Sequence, residues 1–513
     1  ISASVLRGDG KGGNILIDAQ SLFLNNRSLI GGIQASGTTP GGSAGNITVR
    51  TEDLIGLDNS SNISASAFVG FGGDISLDTK KLSLENGSRI TATVFGDQPA
   101  ASITINATES VEISGSDDVL ESGLLISALG NGDAGDLTIN TGRLIVKDGG
   151  NISTNAALTS TQAILALINF QNILPSGIGN AGNIEINARE SVQIIGTRTN
   201  QSSVPSSIIA DGSGGNGGEI NINTSEFTIG NGAQISARTA GDKQAGDIRL
   251  IADVLQVKDG SSITTSTSDI GDAGNIIIRV KDDITLAGEN TGVFANTTEN
   301  STGRGGTIDI DPINLTVKEQ AAITVDSQGS GIAGDIKLVA GFFTLDNGTV
   351  SAETRSNTGG NIDMNLQDLL LLRNGSKIST TAGNQQFGGN GGNIDINSTF
   401  VTAIPGENSD ITANAFAGNG GGIDITAQGI LGLEIRDRLT PLSNITAFSE
   451  LSPTLNGEII LNTPNVDPSQ GTIELPQTII DPDALIAQNP CLQRGGSEFI
   501  VTGKGGLPVN PNQ

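Results

Sequence analysis

Aliphatic and polar positions alternate along most of the chain in one short phrase that keeps returning. A Gly-Gly or Ala-Gly pair is followed by a small polar residue and then by aliphatic–x–aliphatic. The phrase reads GGNILIDA at 12–19, AGDLTINT at 134–141 and GGNIDINS at 391–398. Fifteen copies occur, anchored on the polar residue from Asn14 to Glu458, and the commonest step between them is 28 residues. Both aliphatic slots are apolar in every copy, from Ile15/Ile17 through Ile362/Met364 to Ile459/Leu461, and the residue between them is polar in twelve. A period of two predicts a strand with one buried and one wet face.

A second phrase follows each first one, as in LSLENGSRITA at 82–92 and LLLRNGSKIST at 370–380. It is an alternating strand, an Asn-Gly or Asp-Gly corner, and another short alternating strand. Asn and Gly tolerate the left-handed backbone that a sharp corner needs. An isolated Asn-Gly of this kind signals an antiparallel hairpin, but here three strands recur in the same order through the whole repeat. Each unit has one apolar face and nothing of its own to bury it against, so the units must stack. The expected fold is all-β: a parallel β-helix solenoid of about fifteen three-stranded coils over residues 1–463. Ile would stack on Ile inside, with Asn and Ser laddered at the corners. The general handedness of parallel crossovers predicts a right-handed coil. Fourteen steps at the strand spacing give a rod of roughly 70 Å.

Departures from the repeat are expected as protrusions, mostly between the third strand and the next glycine turn. The longest is 155–180, with the apolar run TQAILALINFQNIL; others lie at 115–123, 196–207 and 436–455. Seven of the fifteen prolines fall in 464–513, and proline cannot occupy interior ladder positions. That segment reads as a cap and tail. The chain opens inside a repeat at Ile1-Ser2-Ala3, without a signal peptide, which suggests a piece of a longer precursor with an open amino-terminal strand edge.

Composition narrows the function classes. There are 72 Gly and 14 Phe but no Tyr, Trp or His, so the core must be aliphatic. The formal charge of −27 disfavours nucleic acid and anionic membrane as partners. Divalent cations, basic partners and neutral polymers remain open. No run approaches the roughly 18 apolar residues of a transmembrane helix. The lone Cys491 excludes an internal disulfide framework and reads as a packed thiol.

With the repeats goes a distinctive tail, in which Cys491 precedes Ser497-Glu498-Phe499-Ile500-Val501-Thr502-Gly503-Lys504-Gly505-Gly506-Leu507-Pro508. Together they resemble, over essentially the whole chain, the C-terminal part of a filamentous-haemagglutinin-like exoprotein. The resemblance is to the two-partner-secretion class common in cyanobacteria. It implies a secreted, cell-surface protein exported through an outer-membrane partner pore. It also implies a β-helical shaft acting in adhesion, aggregation or surface coating, with surface polysaccharide or further copies of the chain as partners. The family's amino-terminal secretion domain is not in this sequence.

Candidate chemistry is sparse. Arg7-Gly8-Asp9 matches an integrin-binding triplet, one that a Gly- and Asp-rich chain also produces by chance. GGNGGNIDI at 388–396 partly matches a calcium-binding nonapeptide, but Asn393 replaces the ligand Asp, and it reads as a turn. Several polysaccharide lyases and hydrolases are β-helices, so a carbohydrate-active enzyme is the alternative reading. Such enzymes need clustered carboxylates, or a basic residue on a groove, often with aromatics for sugar stacking. The acidic residues here are scattered, and the expectation is no enzyme. One metal reading stands out. Asp363, Asp395 and Asp424 occupy the same outward position in three consecutive coils, at roughly 4.8 Å spacing. Their repulsion could be relieved by a proton or a weakly bound Ca²⁺, with Asn365 and Asn397 adding amide oxygens. In earlier coils the same column runs Asp309 then Lys337, alternating in sign.

Overall fold

The computed structural model describes residues 1–4, 10–31, 42–68, 70–117, 120–156, 178–198 and 203–464. These belong to a compact unit, Ile1–Pro464; a second unit, Asn465–Gln513, lies outside the described residues. Outside them too lie Cys491 and its tail motif, the Arg7-Gly8-Asp9 triplet and most of the 155–180 insertion.

The first unit is a parallel β-solenoid. Fifteen strands follow one another in chain order along the path of its main sheet, from Ile15–Leu24 to Ile459–Asn462, and a second sheet of short strands runs beside it. Pairing follows the repeat: Ile15 faces Ile47, Ile47 faces Ile75, and Ile75 faces Ile103. In the thirteen inner copies, from Ile47/Val49 to Ile423/Ile425, neither aliphatic slot is more than 2% exposed. At the two ends, the outward Leu16 is 61% exposed and the inner slot Leu461 is 37% exposed. Among the described residues, Ile15–Leu24 pairs on one side only, with Ile47–Leu57.

The three expected strands of each coil are realised differently. The first two commonly run on as one strand of nine to twelve residues with a bend inside it, as in Ile75–Glu85 and Leu137–Lys147. In Ile75–Glu85, residues 75, 77 and 79 point inward, 80 and 81 both point out, and 82 and 84 point inward again. Two successive outward residues turn the strand around a corner, and the ladder slips there, between Thr79 and Lys81. Pro312 breaks the ladder at this bend, splitting one rung into Ile308–Asp311 and Asn314–Lys318. The third strand is commonly only three residues, such as Lys377–Ser379. Beyond it the coils touch through single bridges, Gly212 to Thr239 to Thr267 to Thr297 and onward to Ser449.

The Asn-Gly corners are left-handed as expected, with φ +51° at Asn86 and +79° at Gly87. The glycine before every anchor but Ser102, which follows Ala101, has another role. Gly45, Gly274 and Gly360 are absent from the left-handed set; they are glycine because the coil beneath passes where a side chain would stand. At several corners the serine that follows is buried, and its hydroxyl satisfies a backbone N–H of the preceding coil. Ser61 N donates to Ser88 Oγ at 3.2 Å, and Ser409 N donates to Ser443 Oγ at 3.0 Å.

One corner carries neither Asn nor Gly. Glu319 and Gln320 sit at φ +57° and +70°, in the region where an L side chain costs about 1–2 kcal/mol. Gln320→Gly is expected to stabilise the fold by about 1 kcal/mol, read as a higher midpoint in thermal or urea unfolding. An unchanged or lower midpoint would mean the side chain offsets its own strain.

Two insertions, 115–123 and 196–207, depart from the expected place. They leave at the corner, at Gly115 and Gly196, before the third strand and not after it. The first closes with an antiparallel bridge, Ser116 to Glu121, and the second with a small antiparallel pair, Thr197–Arg198 with Val204–Pro205. A corner already turning through left-handed residues accepts a longer loop without disturbing the ladders on either side.

Candidate functional site

The polar anchor of the repeat builds a ladder up the solenoid. Asn46 N donates to Asn14 Oδ1 at 3.0 Å, Asp74 N to Asn46 Oδ1 at 3.1 Å, and Ser102 N to Asp74 Oδ1 at 3.1 Å. The same bond recurs up to Gly422 N on Asn393 Oδ1. It is missing where the accepting coil offers Glu219, Thr307 or Gly422. Most anchor residues are thus used structurally, holding the next coil's backbone.

On the outer face, the structure brings the three predicted carboxylates into register. Lys337 faces Asp363, Asp363 faces Asp395, and Asp395 faces Asp424. Partial burial and the charges of Asp424 and Asp363 push the Asp395 carboxyl above its ordinary value. The amides beside them are already engaged. Asn397 Nδ2 donates to Asn365 Oδ1 at 3.4 Å, and Asn462 Nδ2 donates to Asp424 Oδ1 at 2.9 Å. Among the described residues, no group of three or more His, Cys, Asp or Glu side chains is arranged to hold a metal ion. Farther down, Asp309 is neutralised by Arg279 Nη2 at 2.7 Å, from the neighbouring coil. Asp395→Asn removes the central charge, so the variant is expected to be slightly more stable than wild type at neutral pH and equal to it in acid. Calorimetric titration of the pair with Ca²⁺ tests the cation reading, and equal heats would return the column to plain surface.

A carboxylate that sequence reasoning missed lies on the third face. Asp326 Oδ1 accepts Ser351 Oγ at 2.6 Å and Glu353 N at 2.7 Å, while Asp326 N donates to Asn296 Oδ1 at 2.8 Å. The Glu353 carboxylate above it holds Lys377 Nζ at 2.7 Å and also accepts Ser379 Oγ. Burial, and next the Glu353 charge, push Asp326 up to about 6. Because the folded value lies above the ordinary 3.8, this group's stabilising contribution is complete below the ordinary value. It is lost as the pH rises through about 6. Asp326→Asn is expected to flatten that fall and to exceed wild-type stability at pH 8 by on the order of 2 kcal/mol. Parallel pH–stability curves for the two proteins would refute the assignment.

The bend in the long strand leaves a groove along one corner of the solenoid, lined by residues four to six places after each anchor. One stretch, of about 730 Å³, lies beside Arg50, Asp78 and Lys80. A second, of about 700 Å³, is lined by Arg189, Asp253, Arg279, Lys281 and Asp311. The third, of about 630 Å³, is lined by Asn365, Gln367, Asn397, Gln428 and Asn462 among others. The groove was not legible in sequence because its walls come from equivalent positions in separate coils, and its concavity comes from the bend.

Comparison of the chain with protein-family models, with curated proteins and with solved structures found no match. The fold itself defines the class, a parallel β-solenoid. No helix among the described residues is long and apolar enough to cross a membrane.

Proposed function

We propose that the chain is a structural and adhesive rod of the cell surface, secreted as part of a filamentous-haemagglutinin-like precursor through an outer-membrane partner pore. The observation that carries this reading is the unbroken run of fifteen rungs. A stack whose interior is fully used by aliphatic packing makes a stiff spacer and presents its outer faces as repeating surface. The tail from Cys491 to Pro508, with its resemblance to the two-partner-secretion class, supports the export route. Adhesion to surface polysaccharide or to further copies of the chain is the expected activity. The test is disruption of the gene in the native cell, with antibody labelling of intact cells. Loss of aggregation or attachment, with surface labelling in the parent strain, is the expected result. Labelling confined to the cell interior would overturn the proposal.

A carbohydrate-active β-helix enzyme is the second reading, and one observation favours it. The middle stretch of the groove places Asp253 and Asp311 beside Arg279 and Lys281, the residue types that lyases and hydrolases use. Arg279 is already committed to Asp309, which weighs against it as a base. Incubation with uronate polymers, followed by product chromatography, tests this reading. Cleavage lost in Asp253→Asn or Asp311→Asn would establish it, and cleavage lost instead in Asp363→Asn or Asp395→Asn would place the chemistry on the outer face.

A further inference from the structure

We infer that the third stretch of the corner groove binds a neutral, unbranched polysaccharide chain laid along the solenoid axis. This deepens the adhesive reading and rests on it for biological meaning, though the binding itself can be measured alone.

The lining is the first argument. The chain is 16% charged, yet none of the residues lining this stretch carries a charge. Five carry carboxamides: Asn365, Gln367, Asn397, Gln428 and Asn462. A carboxamide offers both donors and an acceptor, which matches sugar hydroxyls, themselves donors and acceptors. The other two stretches are lined by mixed charges. Asn462 Nδ2 is held by Asp424 Oδ1 at 2.9 Å, but the other amides keep capacity to spare. The Gln367 and Gln428 side chains have no partner among the described residues, and the Asn397–Asn365 bond is long at 3.4 Å.

The rims are the second argument. On one side the register places Leu369 and Phe400 on successive coils of the stretch. Phe400 is 43% exposed. An exposed apolar ring beside a polar groove marks a contact surface, and an aromatic face suits the C–H face of a pyranose. On the other side run Asp363, Asp395 and Asp424, two residues before Asn365, Asn397 and Thr426 on the same outward face. These carboxylates accept hydrogen bonds from hydroxyls and repel uronates and sulfates. Electrostatics therefore selects a neutral polymer over an acidic one.

Dimensions are the third argument. The groove spans the rungs that begin at Ile362, Ile394, Ile423 and Ile459, three spacings or ~14 Å. Each rung offers a polar residue at the same place, Asn365, Asn397, Thr426 and Asn462 in turn, at a spacing close to the length of one sugar unit. An extended chain can thus repeat its contacts from rung to rung, which a compact ligand cannot.

The experiment uses the full chain and isothermal titration with neutral β-linked gluco-, manno- and xylo-oligosaccharides, with polygalacturonate as the acidic comparison. Binding by at least one neutral oligomer is expected, tightening from two to four units and then levelling off. Asn397→Ala combined with Gln428→Ala should weaken it at least ten-fold, and Phe400→Ala should weaken it several-fold. Lys281→Ala, in the middle stretch, should leave it unchanged. All these side chains point outward, so an unchanged unfolding midpoint verifies that each variant is folded. No binding of any neutral oligomer, preference for polygalacturonate, or equal binding by the double variant would each overturn the assignment. If the double variant keeps cell attachment while losing oligosaccharide binding, the groove site stands and the adhesive role lies elsewhere. If the wild type binds no sugar yet supports attachment, the site fails and the rod reading stands.

Discussion

Ile394→Asp is expected to lower the stability of its region of the solenoid by about 3–5 kcal/mol, the effect of an uncompensated buried charge. Ile394 is fully buried and lies directly between Ile362 and Ile423 in the column. A carboxylate there has no partner within the aliphatic interior and no access to water. In a stack where each coil touches only its neighbours, the damage should be local before it is global. Hydrogen exchange should therefore accelerate first in strands Ile362–Arg373, Ile394–Ala403 and Ile423–Leu431. The apparent melting point should fall with it. The control is Asp395→Ile, one residue along on the wet face, which should be tolerated. Native thermal stability in Ile394→Asp would mean that the inward and outward assignment is reversed.

That assignment was legible because strand periodicity reports directly on burial, and the anchor spacing then sets the register. Counting from each polar anchor placed Asp363, Asp395 and Asp424 in one column, and the pairing agrees. The corners were legible where Asn and Gly mark them, at Asn86-Gly87 or Asp148-Gly149. They were not legible at Glu319-Gln320, where stacking pressure from adjacent coils imposes a conformation that local propensity does not advertise. The bend inside the long strand was missed for a related reason. Lys80 and Lys81, both outward, look in sequence like a gap between two strands, yet the backbone carries its ladder through them. Contacts between coils were the least legible of all. The Arg279–Asp309 pair joins residues 30 apart, and the Asp326 site draws on three coils through Asn296, Ser351 and Glu353. Such partners are set by which side chains of different repeats meet, and the periodicity of a single repeat does not contain that information.

The glycine before nearly every anchor (Ala101 stands there before Ser102) carries the other large expected effect. Gly360 N donates across its own coil to Ala352 O at 2.9 Å, and Gly334 N donates in the same way to Val325 O at 2.8 Å. This closing bond turns the glycine so that its missing side chain would point at the coil below. A Cβ on Gly360 would overlap the Gly334 carbonyl oxygen, far inside the 3.0 Å below which real Cβ atoms essentially never approach. The obstacle is backbone, so no rotamer change can relieve it. The same relation links Gly334 to Gly306, Gly306 to Gly274, and Gly274 to Gly246, so a column of glycines lets successive coils close to strand spacing. Gly360→Ala must either force adjacent coils apart or break the closing bond, and a loss of about 3 kcal/mol or more is expected. Gly406, on the loop Pro405–Glu407, has nothing within 4 Å of the same added atom. Gly406→Ala is therefore expected to leave the unfolding midpoint within a degree or so of wild type. Urea unfolding of the two variants side by side separates close approach from chain entropy, since both replace one glycine by alanine. Equal midpoints would show that the coils can move apart without loss of stability, and the glycine column would then need another explanation.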